Sequence, residues 1–200
     1  MITIGITGGV GAGKSSILSY LKAHYNCTVL LADNLASELK QKGAVCYAPI
    51  VSLLGDGILD PMGNIDNKKM AALIFDDAEL LGKVNAIIHP EVKKEIVRRI
   101  EEAGRNLKTD YFFLEAALLI EEHYDEILDE IWYVYASERV RRKRLKKSRG
   151  YSDSKIDDIM ASQLSEEEFR RATSFTIQNG GPRFIARMDI RRKMKEYGKS

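Results

Sequence analysis

The chain has 200 residues and a formal net charge of +2. This length suits one domain, or one domain with a mobile insert, and the nearly balanced charge excludes a polycation that binds nucleic acid over its whole surface. No apolar run approaches the roughly 20 residues of a membrane helix, and glycines interrupt the start of the chain, which predicts a cytoplasmic protein. Its two cysteines lack C-x-x-C spacing, which argues against a thiolate zinc site or a redox pair.

Strands and helices alternate along the chain, since β-branched runs predict strands and helical spacing of apolar residues predicts helices. The predicted strands are 2–7, 28–32, 111–114, 130–135 and 175–177. The predicted helices are 14–24, 34–42, 66–75, 77–88, 90–103, 137–147 and 154–161, with others starting at Ser165 and after Pro182. This order predicts an α/β fold, a parallel sheet flanked by helices. The predicted regions are a core (1–40, 106–138 and 170–200), a helical subdomain (60–105) and a lid (139–168).

A glycine-rich turn follows the first strand, because residues 8–15 fit the pattern G-x-x-x-x-G-K-[ST]. Glycines leave backbone N–H groups free to point at phosphate oxygens, and the helix that starts near Gly13 adds its positive N-terminal end. Lys14 is expected to reach the β- and γ-phosphates of a nucleotide, and the Ser15 hydroxyl to ligate Mg²⁺. The motif lies between an apolar strand and an amphipathic helix, so the sequence predicts a nucleotide-binding P-loop. A GTPase is disfavoured, because no Asn-Lys-x-Asp guanine reader is present.

Two carboxylates end predicted strands at the edge of the sheet where ligands of open α/β folds bind. Asp33 has two interpretations, which the sequence does not separate. It either accepts the proton of an acceptor hydroxyl or holds Mg²⁺ through water, or it caps the helix that follows. Glu115 either holds Mg²⁺ through water or is a surface or capping carboxylate, and the sequence slightly favours the metal role.

Residues 139–149 carry eight basic side chains in eleven positions. Three interpretations of this basic segment compete: a solvated helix face, a patch that binds nucleic acid, or a lid whose arginines clamp a transferring phosphate. The P-loop favours the lid, and the lack of interleaved aromatic residues disfavours nucleic acid.

The turn Asn179-Gly180 either contacts adenine or is an ordinary strand-to-helix turn. His89 precedes Pro90 at a predicted helix junction, where it is expected to satisfy backbone groups.

From about residue 2 to about residue 190, the chain resembles the dephospho-coenzyme A kinase family. The resemblance is carried by segments 4–15, 32–36, 63–66, 74–75, 85–90 and 115–121, by Arg144-Leu145, 150–152 and Gln163, and by Asn179-Gly180. Four positions depart from the family pattern. Leu31 and Glu115 stand where the family has Asp, and Ala117 stands where it has Pro. Ser148 stands where the family has a lid arginine, with Arg149 one residue later. A nucleoside monophosphate kinase would share the P-loop and lid, but not the Asp33-x-x-Ala36 and His89-Pro90 segments.

The resemblance implies a P-loop nucleoside-triphosphate hydrolase fold. It also implies transfer of the γ-phosphate of ATP to the ribose 3′-hydroxyl of dephospho-coenzyme A, the last step of coenzyme A synthesis. Asp33 is then the catalytic base, residues 60–105 with His89 hold the acceptor, and residues 139–168 close over ATP. Lys14 and a lid arginine, Arg144 or Arg149, stabilise the transferring phosphate. The implied nucleotide-binding residues are Gly11, Ala12, Gly13, Lys14, Ser15, Ser16, Asn179 and Gly180, and the implied Mg²⁺ ligands are Ser15 and Glu115. No nucleic acid or membrane partner is expected, and a monomer is favoured.

Overall fold

The computed structural model of the chain describes residues 1–75, 77–105 and 109–198. The strands are β1 (Ile2–Thr7), β2 (Cys27–Leu31), β3 (Tyr111–Glu115), β4 (Glu130–Tyr135) and β5 (Phe175–Gln178). The helices are α1 (Lys14–His24), α2 (Ala32–Leu39), α3 (Tyr47–Leu54), α4 (Asn67–Ile74), α5 (Ala78–Arg105), α6 (Glu138–Arg149), α7 (Asp153–Ala161), α8 (Glu166–Arg171) and α9 (Arg183–Glu196). Short 3₁₀ helices cover Asp56–Ile58 and Tyr124–Glu126. None of the helices in the described ranges is long and apolar enough to cross a membrane.

The chain forms two compact units, one from residues 1–30 and from residue 103 onward, the other from residues 31–102. The described strands form one five-stranded sheet in the order β2-β3-β1-β4-β5. β1 pairs in parallel with both β3 and β4, and β4 pairs in parallel with β5. The α/β fold with a parallel sheet is therefore confirmed. The register sets Ile6 opposite Glu115, so the end of β3 lies level with the end of β1, where the P-loop begins.

The core of the first unit lies on both faces of the central strands. β1, β3 and β4 are almost continuously buried, as expected for strands covered by helices on both sides. Trp132, Phe113 and Ile6 are fully buried. Burying each such side chain contributes about 1.5–3 kcal/mol. This packing holds the carboxyl ends of β1 and β3 in place, and the predicted functional residues begin there.

The second unit differs from the sequence prediction at α2, α3 and α5. The predicted strand 28–32 is wrong at its last residue, because Ala32 already belongs to α2. The helix predicted at 34–42 begins two residues earlier than predicted, at Ala32, and ends three residues earlier, at Leu39. Ala32 and Leu35 are buried on one face of α2, and that packing favours the earlier helix start. Helix α3 was not predicted, because its apolar run has no polar face to give a helical period.

The predicted helices 77–88 and 90–103 are in fact one helix, α5, with Pro90 in its interior. Proline removes one backbone hydrogen bond and clashes with the preceding turn, which normally ends a helix. Four buried side chains follow each other at four-residue spacing along α5, namely Val84, Ile88, Val92 and Ile96. Burial of this stripe on both sides of Pro90 outweighs the local cost of the proline.

Candidate active site

The P-loop backbone turns sharply between β1 and α1. Gly13 has a φ of 95°, and a Cβ built on it would lie 2.5 Å from Nδ2 of Asn179. Gly8 has a φ of 142°, and its Cβ would lie 2.5 Å from the carbonyl oxygen of Val134. Side chains are therefore excluded at both positions by conformation and by space. Gly13 is also the N-cap of α1 and has no side chain to occupy the first N–H groups of the helix, which leaves them for an anion.

Lys14 is the first residue of α1 and folds back over the loop. Its Nζ donates a 2.7 Å hydrogen bond to the carbonyl oxygen of Gly8 and lies 3.6 Å from Oε1 of Glu115. Both side chains are largely buried, with 16% and 19% of their surface exposed. Because Glu115 ends β3 beside β1, the sheet register brings this carboxylate to the P-loop lysine. The structure thus joins two of the residues that the sequence singled out.

The oxygen groups near Lys14 fit Mg²⁺. Glu115 supplies one carboxylate at the end of β3, and Ser15 supplies a hydroxyl in the exposed first turn of α1. Mg²⁺ is commonly held by one or two protein oxygens together with phosphates of a substrate. No group of three or more His, Cys, Asp or Glu side chains suited to a metal occurs in the described residues. The donor set therefore fits a metal ion that arrives with a nucleotide better than a resident metal ion held by the protein alone.

Arg144 of α6 and Asn179 after β5 converge on the P-loop. Arg144 donates to the carbonyl oxygens of Ala12 at 2.8 Å and of Asn179 at 2.6 Å. The buried side chain of Asn179 donates to the same Ala12 oxygen at 2.8 Å. Burial lowers the pKa of the Arg144 guanidinium from its ordinary value. Among the described residues no carboxylate pairs with Arg144, and a half-buried cation held by carbonyl groups favours an anion at this place.

Arg141 lies one turn before Arg144 and also reaches the P-loop. Its Nε donates to the carbonyl oxygen of Val10 at 3.0 Å, and its Nη2 donates to Oε1 of Gln163 at 3.1 Å. The backbone N–H of Val10 donates to the same Gln163 oxygen at 3.1 Å. Burial lowers the pKa of Arg141. The sequence prediction did not single out Arg141, although its spacing of three and four from Arg144 and the buried Leu145 marks one helix face.

The remaining basic residues of α6 have other surroundings. Arg149 is exposed at the end of α6, and its guanidinium carbon lies 5.8 Å from the ring centre of Tyr151. At about 100° per residue, a five-residue step from Arg144 turns Arg149 to another face of the helix. Arg142 pairs with Glu138 and Asp157, and Lys146 pairs with Asp153 at 2.7 Å. The pairs with Asp157 and Asp153 join α6 to α7, and all three pairs neutralise part of the basic run.

Asp33 and His89 belong to the second unit. Asp33 is the second residue of α2, and the N-cap of that helix is Leu31, so the capping interpretation of Asp33 is wrong. Its side chain is exposed, and no hydrogen bond or ion pair engages its carboxylate within the described part of the chain. His89 is half-buried inside α5, next to Pro90, and not at a junction between helices. An exposed carboxylate that has no such partner among the described residues suits a role toward a ligand.

Comparison with known proteins shows what the chain is similar to. The family model for dephospho-CoA kinase matches residues 2–183. A dephospho-CoA kinase from Aquifex aeolicus is 37% identical over 182 residues, which are 90% of each chain. The crystal structure of TT1252 from Thermus thermophilus superposes with a TM-score of 0.81 and 28% identity, covering 98% of this chain and 97% of that one. A shikimate kinase from Bacteroides thetaiotaomicron shares the fold, with a TM-score of 0.56, 13% identity and 98% coverage of both chains. The P-loop kinase fold is thereby confirmed.

Proposed function

Because the chain belongs to the dephospho-CoA kinase family, we propose that it transfers the γ-phosphate of ATP to the ribose 3′-hydroxyl of dephospho-coenzyme A, the last step of coenzyme A synthesis. The observation that carries the kinase chemistry is the convergence of Lys14, Glu115 and Arg144 on one P-loop. The family membership supports the acceptor. The likeness to a shikimate kinase supports only the fold, because that fold serves different acceptors.

The triphosphate binds at the N-terminus of α1 in this proposal. Backbone N–H groups from Gly11 to Ser16 face the phosphates, and the helix dipole favours their charge. Lys14 exchanges its hydrogen bond to Gly8 for the β- and γ-phosphates, which places a cation where negative charge spreads during transfer. Mg²⁺, held by Ser15 and Glu115, would supply further positive charge toward the phosphates.

Arg144 is the lid arginine of the proposal. Its contacts with Ala12 and Asn179 support a position beside the phosphates, and Arg149 has no comparable contact with the P-loop in the described residues. The ion pairs between α6 and α7 support movement of the lid, residues 139–168, as one piece. Closure of a lid excludes water, which would otherwise take the phosphate from ATP. Asn179 shapes the P-loop in this proposal, and Gly180 follows it in the turn toward α9.

Asp33 acts as the base of the transfer. Its carboxylate accepts the proton of the 3′-hydroxyl as the bond from O3′ to the γ-phosphorus forms and the bond from that phosphorus to the β–γ bridging oxygen breaks. The products are coenzyme A and ADP. Its exposed carboxylate lies in the first turn of α2 and has no hydrogen-bond or ion-pair partner among the described residues, which supports this role. His89 and the rest of 60–105 contribute to acceptor binding in the same proposal.

We assign the reaction to the cytoplasm, where ATP is available, and the two free cysteines, Cys27 and Cys46, support a reducing compartment.

The test is Mg²⁺-dependent turnover of ATP with separate acceptors. We expect ADP formation that requires dephospho-coenzyme A, with coenzyme A identified as the product by mass. Nucleoside monophosphates and shikimate serve as matched acceptors for other kinases of this fold. Turnover with one of these and none with dephospho-coenzyme A would contradict the proposal and leave the P-loop assignment intact.

A further inference from the structure

The second unit contains a polar cavity between the end of α2 and the segment that leads into α4. Its volume is ≈ 430 Å³. Two ammonium groups, those of Lys40 and Lys42, line it together with the polar side chains of Ser37, Asn64 and Asn67. Every one of these groups can donate a hydrogen bond, and two of them carry positive charge. Such a lining suits an anion with several oxygen atoms.

Lys40 is the half-buried cation of this cavity. Its Nζ donates a 3.0 Å hydrogen bond to Oδ1 of Asn67, a neutral amide. Among the residues that the structure describes, no carboxylate lies within ion-pair distance of it. Burial lowers the pKa of Lys40, although Asp33 at the other end of α2 opposes that shift. A cation that is partly desolvated beside a neutral partner gains more from a ligand anion than an exposed lysine does.

The carboxylates next to the cavity are already engaged. Asp60 accepts hydrogen bonds from the backbone N–H groups of Met62 and Asn64, both at 2.8 Å. Asp66 is the N-cap of α4 and accepts from the first N–H groups of that helix. Backbone donors hold both carboxylates in the turn and the helix cap, where they stabilise local structure. Lys40 donates to the amide of Asn67, and Lys42 donates at 3.5 Å to the carbonyl oxygen of Met62. Neither ammonium group has a carboxylate partner among the described residues, so both remain available to a ligand anion.

The cavity lies on the same face of α2 as the proposed base. Asp33, Ser37 and Lys40 are separated by four and three residues, which places them in one row along the helix. Lys40 lies about 10 Å from Asp33 along the helix axis, at about 1.5 Å per residue. An acceptor whose hydroxyl meets Asp33 thus extends toward Lys40 if it carries an anionic group beyond its sugar.

We propose that the cavity lined by Lys40 and Lys42 binds the diphosphate of the acceptor. This rests on the proposed function. Dephospho-coenzyme A carries its diphosphate on the 5′-carbon of the ribose that offers the 3′-hydroxyl, so the two groups lie on opposite sides of one sugar. The ammonium groups bind the diphosphate oxygens, and Asn64, Asn67 and Ser37 supply further donors. A nucleoside acceptor without a diphosphate would leave the cavity unused.

The test compares charge with hydrogen bonding at one position. Lys40→Gln keeps a donor for Asn67 and removes the charge, and Lys40→Arg keeps the charge. Lys195→Gln is the control, because it removes an exposed lysine of α9, outside the proposed acceptor-binding region. For Lys40→Gln we expect the KM for dephospho-coenzyme A to rise about tenfold or more, since hydrogen bonds to charged groups are worth about 1.5–3 kcal/mol. The kcat and the KM for ATP stay near those of the wild type. Lys42→Gln gives a smaller rise in this KM, Lys40→Arg keeps most of the affinity, and Lys195→Gln leaves it unchanged.

Three results would overturn the proposal. If the wild type makes coenzyme A but Lys40→Gln has an unchanged KM for dephospho-coenzyme A, the diphosphate does not bind in this cavity. The proposed function is not affected by that result. An equal rise in the KM for ATP assigns the charge to the donor nucleotide. A wild type that does not phosphorylate dephospho-coenzyme A refutes the function itself, and the diphosphate assignment with it.

Discussion

Arg144 and Asn179 hold the same P-loop carbonyl oxygen, that of Ala12, each at 2.8 Å, and Arg144 also donates to the carbonyl oxygen of Asn179 at 2.6 Å. Three segments that are distant in sequence thus meet at one atom: the P-loop, α6 and the turn after β5. The side chain of Asn179 also occupies the space that a Cβ at Gly13 would need. The arrangement fixes the P-loop and sets a cation directly beside it.

Arg144→Met is expected to lower kcat by about 10²–10³-fold, because it removes a cation aimed at the charge that develops on the transferring phosphate. The KM for ATP changes less, since the backbone N–H groups of the loop remain. Steady-state kinetics with dephospho-coenzyme A as acceptor provides the measurement. Lys143→Met, at an exposed neighbouring position of α6, is the control and keeps normal turnover. A kcat close to the wild type in Arg144→Met would assign the lid role to another arginine, and Arg141, which also contacts the P-loop, would be tested first.

The sequence predicted the parts of the structure that local patterns determine. Buried strands are visible in the sequence as continuous apolar runs, and the P-loop motif is recognised together with the strand before it and the helix after it. The sequence also singled out Lys14 and Glu115, because parallel strands end at a common edge of the sheet, but it did not predict the contact between them.

The sequence did not predict what depends on packing between distant segments. The rule that proline ends a helix failed at Pro90, because a buried stripe on both sides of it holds α5 together. In the basic run of α6, composition does not reveal which face turns to the P-loop, and for that reason Arg141 escaped notice. Helical spacing was the available signal, since Arg141 lies three residues before Arg144 and four before the buried Leu145, on one helix face.

The ionised carboxylate of Glu95 in α5 is expected to stabilise the folded protein at neutral pH and to lose this effect in acid. Hydrogen bonds from Arg98 and Arg99 lower the pKa of its carboxyl to about 2, from 4.5. A lowered pKa in the folded state means that the charged form stabilises the fold above the unfolded value, near pH 4.5, and that this contribution is lost as the pH falls toward 2. Glu95→Gln is expected to cost about 1–2 kcal/mol near neutral pH, after allowance for partial exposure.

Thermal unfolding of both proteins between pH 7 and pH 2.5 measures this contribution. The difference in Tm between wild type and Glu95→Gln should shrink steadily below pH 4.5. Glu79→Gln removes an exposed carboxylate from the same helix, one that pairs with Lys83, and provides the control. A difference that stays constant with pH would assign the effect of Glu95 to packing and not to its charge.

Glu115→Gln tests the metal role of the carboxylate beside Lys14. The amide keeps the shape of the side chain but lacks the charge that favours Mg²⁺, so the Mg²⁺ concentration at half-maximal rate should rise about tenfold or more. Rates measured over a range of Mg²⁺ at fixed ATP provide the result. Glu167→Gln on α8, where the carboxylate pairs with Arg171, is the matched control. A raised KM for ATP with unchanged dependence on Mg²⁺ would instead mean that Glu115 only orients Lys14.

Asp33→Asn tests the base. Asparagine has nearly the same shape but cannot accept the proton of the 3′-hydroxyl, so kcat should fall by about 10²–10⁴-fold, the usual contribution of a general base. ATP binding should survive, because the residues proposed to bind the triphosphate are unchanged. Single-turnover rates and equilibrium binding of a fluorescent ATP analogue separate the two effects. Asp56→Asn removes another exposed carboxylate of the second unit and should leave both unchanged. Near-normal turnover in Asp33→Asn would remove Asp33 from the base role, and the transfer would then depend on Lys14 and Arg144 stabilising charge on the phosphate, with the hydroxyl proton leaving to solvent.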